Sequence, residues 1–283
     1  MHICIYEDPG CNNLLPMVYM RPVYDLFCGM VSLREKLIRN FPKASITLHT
    51  RSVLENVVRD RYPDCLVNDF PAELKEIVFI NGRTLLSSET VLNKLSKNQS
   101  FTINNKVIAA RLSGDQLTTT IKKVQNGITF DLDETAIEKQ KIDGVLVEYI
   151  WDLIQANSDQ IRSDFTFATQ GKVESVIEDD TVIQNKNVFI DKTAKIFPQV
   201  IVDGSNGPVF IDRNAVIQPH VYIQGPAYIG PSVFIKAGAQ IYSGSSIAEG
   251  CKIGGEVNNS IILPWSNKAH GGYLGSSYVG SWV

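Results

Sequence analysis

From Phe189 to Gly254 an isoleucine or valine returns at every sixth position for most of the stretch. The series runs Ile190, Ile196 and Val202, takes one nine-residue step, and continues through Ile211, Ile217, Ile223, Ile229, Ile235, Ile241, Ile247 and Ile253. Two residues before each stands something small or β-branched, such as Ala194, Val209, Ala215, Val233, Ala239 or Cys251. A period of six suits neither a 3.6-residue helix nor a hairpin array, and its physical solution is a parallel β-helix. Residues two apart on a strand point the same way, so the small residue and the isoleucine of each hexad face inward and the residue between them faces out. Three short strands make one triangular coil. No coil can bury its own apolar face, so the isoleucines of successive coils stack. Corners such as Asp212-Arg213-Asn214 and Gly230-Pro231-Ser232 supply residues that tolerate turn conformations. The longer corner Asp203–Pro208 absorbs the three extra residues of the nine-residue step.

The outward positions fall into three columns. The first holds Phe189, Phe210, Tyr228 and Ser246, the second Lys195, Val216, Phe234 and Lys252, and the third Ile201, Tyr222 and Gln240. An aromatic column on a β-helix face is a contiguous apolar stripe of the kind that marks an interface. The alternative is that a helical segment, Val145–Phe167, folds back and covers it within one chain.

The chain has 283 residues and a net charge of −3, with no basic block, which argues against nucleic acid or a membrane surface as partner. Its five cysteines are scattered without a Cys-x-x-Cys pair and read as buried free thiols of a reducing compartment. The opening Met-His-Ile-Cys-Ile-Tyr turns polar at Glu7, too soon for a signal peptide, so a cytoplasmic protein is expected.

Before the repeat, short apolar runs alternate with helical periodicities, the pattern of an α/β layer fold. Strands are expected at His2–Tyr6, Ser45–His49, Glu76–Ile80 and Val107–Arg111, and helices near Gly29–Asn40, Ser52–Tyr62, Ser88–Lys97 and Asp115–Gln125, with Asp133-Glu-Thr-Ala opening a further stretch. Apolar residues at helical spacing from Val145 to Phe167 predict a helix interrupted at Asn157-Ser158. The resulting organisation is an α/β domain over residues 1–140, a helical linker over 141–184 and a β-helix over 185–283.

Two stretches carry a family resemblance. Ile3-Cys-Ile-Tyr-Glu-Asp-Pro-Gly, followed by Leu15-Pro16, Arg21-Pro22 and Gly29, resembles the first strand and substrate loop of sugar-phosphate nucleotidyltransferases. In that family a Gly-rich loop cradles nucleotide phosphates; here the loop is Asp8-Pro-Gly-Cys-Asn-Asn-Leu-Leu, with one glycine. Where the family ends a strand with a magnesium-holding aspartate, this chain has Asn81-Gly82-Arg83, and an arginine repels magnesium, which leaves the metal in question. Arg21, Asn81 and Arg83 are candidate sugar-phosphate contacts, the arginines as charge-assisted donors or, on the other reading, solvated surface residues. Beyond the repeat, Lys268-Ala269-His270-Gly271-Gly272-Tyr273-Leu274-Gly275 is similar to the acetyltransferase half of the bifunctional N-acetylglucosamine-1-phosphate uridyltransferase/glucosamine-1-phosphate acetyltransferase family, and the short head matches its sugar nucleotidyltransferase-like branch.

That resemblance implies a nucleotidyltransferase-like (Rossmann-like) α/β head followed by a left-handed parallel β-helix. It implies an amino-sugar transferase in UDP-GlcNAc biosynthesis that uses acetyl-CoA as acyl donor and acts on a small-molecule sugar phosphate or nucleotide sugar. It makes His270 the general base, with Tyr273 and Lys268 at the substrate, and a homotrimer the expected assembly. An amine attacking a thioester must lose a proton, and imidazole titrates near neutral pH. The chain stops at Val283, where the family continues into coils that bind acetyl-CoA, so either the chain is a piece or its donor site is incomplete. Two rival readings are a non-catalytic sugar-nucleotide-binding or scaffold protein, and a sugar-1-phosphate nucleotidyltransferase with an atypical site.

Overall fold

The computed structural model of the chain describes residues 1–86, 92, 94–132, 138–168, 180–185 and 187–283. Contacts divide it into two units, Met1–Leu26 with Ser32–Tyr149, and Phe27–Val31 with Ile150–Val283.

The first unit is organised on a seven-stranded sheet. Its strands are β1 (His2–Tyr6), β2 (Ser45–Leu48), β3 (Leu66–Val67), β4 (Glu76–Asn81), β5 (Gln99–Ile103), β6 (Lys106–Ser113) and β7 (Glu138–Lys141), in the order β7-β5-β6-β4-β1-β2-β3. Strands β3, β2, β1 and β4 are parallel, and β6 runs antiparallel to β4. A parallel strand covered on both faces reads as a continuous apolar run, and β1 is buried along its whole length. Its one polar residue, His2, is held in the sheet by the Ser45 and Thr47 hydroxyls at 2.7 and 2.8 Å. Strands β5 and β6 form a hairpin across Asn104-Asn105, both left-handed, the backbone of a two-residue turn that matches strand twist.

Three helices of this unit are α1 (Leu33–Ile38), α2 (Glu55–Arg61) and α3 (Gly114–Gln125). Helix α1 starts later than Gly29 because Ser32 and Glu35 close a capping box on its first turn. The helix expected near Ser52 opens as a 3-10 turn over Ser52–Leu54 before α2 begins. Half of the segment expected as a helix at Ser88–Lys97 lies outside the described residues, and Asp133-Glu-Thr-Ala lies wholly outside them.

The second unit is a β-helix. Its strands stack into three parallel sheets, one per face, beginning at Val182–Gln184, Val188–Ile190 and Lys195–Ile196. The pairing register sets Ile190 on Ile211, Ile211 on Ile229, Ile229 on Ile247 and Ile247 on Ile262, one inward column of the interior. The longer corner after Asp203 keeps this register, as the nine-residue step requires. Stacking begins at Val182, inside the segment assigned to a linker.

Helix α4 (Ile150–Ala168) runs without interruption, so no break occurs at Asn157-Ser158. Asn157 is buried inside it because a polar group on the core side finds partners there. Its Nδ2 donates to the Gly244 carbonyl at 2.8 Å and to Ser246 Oγ at 2.9 Å, and its Oδ1 accepts from the Gly29 N–H at 2.6 Å. Ser246 Oγ in turn donates to the Gly29 carbonyl at 2.6 Å, and Asp164 accepts from the Met30 N–H at 2.8 Å. The segment Phe27–Val31 and α4 together cover the first outward column: Phe189, Phe210 and Tyr228 are buried with Met30 and Phe165 in one cluster. Phe189 stacks on Phe210 at 4.4 Å, and Phe165 meets Phe210 edge-on at 6.3 Å. One expectation changes here: the helix is an integral layer of the second unit rather than a linker. Of the two readings of the aromatic stripe, the one found is the helix folding back over it within the chain, with Phe27–Val31 beside it, in place of a subunit face.

Candidate functional site

In the first unit the chain proceeds from β1 to β2 and β3 on one side, then returns to place β4 on the other. That reversal makes a topological switch point at the carboxyl ends of β1 and β4, where open α/β sheets bind ligands. Glu7 and Asp8 end β1 there, and Asn81-Gly82-Arg83 ends β4.

Both carboxylates are taken by arginines. Glu7 is buried and receives Arg51 at 3.2 and 3.3 Å, together with the Thr50 hydroxyl at 3.0 Å and the backbone N–H groups of Val23 and Arg51 at 2.9 and 3.0 Å. Arg51 goes on to donate to the carbonyls of Val18 and Arg21, stitching the segment after the 3-10 turn Pro9–Leu14 onto the sheet end. Asp8 is gripped by Arg83 through Nε to Oδ1 at 2.7 Å and Nη2 to Oδ2 at 2.5 Å, while Asn81 Nδ2 donates to Oδ2 at 2.8 Å. Arg83 also donates to the Val147 carbonyl, and its own N–H to Asn81 Oδ1. Such two-pronged pairs are the strong form of ion pair, and here they are internal.

Arg83 is 1% exposed, so it is neither a surface arginine nor a donor presented to a ligand. Its guanidinium lies against Gly10: a Cβ there would sit 2.2 Å from Nη2. The single glycine of the loop thus admits a side chain of the same protein, where the resemblance had it approaching phosphate. Asn81 is buried in the same network. Arg21 is partly exposed, and its carbonyl is what Arg51 holds.

Magnesium, which the resemblance implies, needs carboxylate or other oxygen ligands with lone pairs to spare. Both oxygens of Asp8 and of Glu7 are engaged by guanidinium groups, and the nearest added charge is positive. No cluster of three or more His, Cys, Asp or Glu side chains suited to a metal occurs among the described residues. The donor set does not fit the ion.

The other candidates sit on the last coils of the β-helix. Lys268 occupies the register position below which Ile253 points inward, and its ammonium curls back to donate to the carbonyls of Gly254 at 2.6 Å, Gly272 at 2.9 Å and His270 at 3.2 Å. An ammonium has three N–H donors, and all three are engaged by these carbonyls, so Lys268 pins the loop in this structure. Partial burial holds its pKa below the usual lysine value. Lys236 donates to the Ala269 carbonyl at 2.6 Å, reaching past Gly254 to fix the same loop from two coils below. His270 is exposed at the top of this pinned loop, and Tyr273 is exposed at the start of the strand Tyr273–Gly275.

Sequence reasoning singled out Asn81 and Arg83 but not Glu7, Asp8 or Arg51, which organise the same end of the sheet. The signal was present: two consecutive carboxylates close an apolar strand, and Thr50-Arg51 follows the neighbouring parallel one.

A mostly parallel sheet with a switch point at the carboxyl ends of β1 and β4, followed in the chain by a β-helix, defines a protein of the α/β-plus-β-helix fold class. A model of the sugar nucleotidyl transferase family matches residues 3–173, more than half of the chain, and the chain belongs to that family. At that level it is a transferase of sugar metabolism. No curated protein matches it.

Proposed function

We propose that the chain acetylates an amino-sugar phosphate from acetyl-CoA at the His270 loop, and that nucleotidyl transfer by its head is weak or absent. The observation that carries the reading is the contrast between the two candidate sites. At the head, every oxygen of Glu7 and Asp8 is held by an arginine. On the β-helix, an exposed imidazole stands on a loop whose carbonyls are locked by two lysines, so the backbone that carries it is held before any ligand arrives. In the proposed step the substrate amine attacks the thioester carbonyl. A C–N bond forms, the C–S bond breaks, coenzyme A leaves as thiolate, and His270 takes the proton released by the amine.

Thiol release from acetyl-CoA in the presence of glucosamine-1-phosphate tests the reading. His270→Ala is expected to lower the rate by roughly 10²-fold or more. No release above background, or a rate that survives the substitution, overturns it. One observation favours a second reading, a non-catalytic sugar-nucleotide-binding scaffold: among the described residues no group accepts a hydrogen bond from the His270 ring to orient it. A homotrimer is proposed only through the second and third faces, since the first is covered. Sedimentation equilibrium at micromolar concentration would reject it by finding the mass of one chain, 31.4 kDa.

A further inference from the structure

Gly275 has no backbone reason to be glycine, since it is not among the residues with left-handed φ. What it lacks room for is a side chain. A Cβ built there would lie 2.1 Å from the Tyr273 hydroxyl oxygen, 2.4 Å from Cζ and 2.6 Å from Cε1. Residues 273 and 275 project from the same face of their strand, while Leu274 between them turns inward onto the β-helix core. The Tyr273 ring therefore folds along the strand and lies over the bare α-carbon of Gly275. Its start is fixed as well, because the Gly272 carbonyl accepts from both Lys268 Nζ and the Glu256 N–H. With one side on the strand, the ring remains 64% exposed, far more than an aromatic ring kept for packing.

We infer that Gly275 is a positioning residue: it lets the Tyr273 ring lie flat as a shelf on which the apolar C–H face of a sugar ring stacks, three residues from His270. The inference rests on the acyl-transfer reading and deepens it by assigning how the acceptor is held. A ring restrained between a pinned carbonyl and a glycine loses little freedom on binding, which is the benefit of preorganisation. A side chain at 275 would lift the phenol end off the strand and tilt the shelf.

The test is a double-substitution cycle on the whole chain with glucosamine-1-phosphate, read as KM in the thiol-release assay and as Kd by isothermal titration calorimetry. Gly275→Ala and Tyr273→Ala are each expected to weaken sugar-phosphate binding by about 3- to 10-fold, the range for one aromatic contact, with kcat little changed. Gly275→Ala added to Tyr273→Ala should have no further effect, and Tyr273→Phe should keep the affinity. A loss that only reflected damage to the coil would persist in the Tyr273→Ala background, and that outcome overturns the inference, as does unchanged affinity in Gly275→Ala. Absence of both binding and turnover in the unsubstituted protein overturns the acyl-transfer reading itself, and the shelf with it.

Discussion

Replacing Asn157 by leucine separates local preference from tertiary demand, because the two predict opposite signs. Leucine is the better helix former by about 0.5 kcal/mol, so α4 taken alone would gain. In the folded unit Asn157 is fully buried and serves three partners: the Gly29 N–H, the Gly244 carbonyl and Ser246 Oγ. Leucine leaves the Gly29 donor and the Gly244 acceptor unpaired in a dry layer, at about 1–3 kcal/mol each, and removes a donor to Ser246. The net expectation is a loss of roughly 3–5 kcal/mol after the propensity gain is subtracted. The assay is specific, since all three tryptophans, Trp151, Trp265 and Trp282, lie in the second unit. Tryptophan fluorescence therefore follows unfolding of that unit alone. The urea midpoint should fall by about 1 M or more for a slope of 1–3 kcal/mol/M. An unchanged or raised midpoint would refute the claim that Asn157 is kept for its buried partners.

Burial holds the pKa of both His2 and His49 down at about 4, from an unfolded value near 6.5. The unfolded chain then binds more protons between those values, so the stabilisation is complete above about pH 6.5 and is lost as pH falls toward 4, costing about 2 kcal/mol per histidine at pH 5. Hydrogen-exchange protection at Ile3–Ile5 should drop between pH 7 and 5, and equal protection would contradict the neutral, buried assignment. Arg83→Met should destabilise the head by about 3–5 kcal/mol because it strands the Asp8 carboxylate, whereas Asp8→Asn with Arg83→Met should recover much of the loss. Additive losses in that cycle, measured by chemical denaturation, would mean the pair is not coupled. Magnesium-dependent pyrophosphate release by the unsubstituted protein should stay well below ~1 s⁻¹, and ordinary turnover would show that the arginine-held carboxylates can open.

Periodicity alone determined the β-helix. An inward residue every sixth position states which side chains stack, and the nine-residue step even locates the longer corner, because register in a coil is set by counting residues between inward positions. The α/β nature of the head and its strand β1 were legible for the same reason, an uninterrupted apolar run of strand length. Strand β5 was not anticipated, although Asn104-Asn105 is a turn signal between two β-rich runs. Tertiary structure decided everything that depends on who meets whom across long separations. Asn157 reads as a helix breaker by its own chemistry, yet it stands mid-helix because its partners come from residues 29, 244 and 246. Arg83 reads as a surface or ligand-binding charge, and only the approach of Asp8, 75 positions earlier, makes it an internal counter-ion. The aromatic column of Phe189, Phe210 and Tyr228 could be read as apolar and outward, but periodicity cannot say what covers an outward face. That was settled by α4 and Phe27–Val31, which bury it within the second unit.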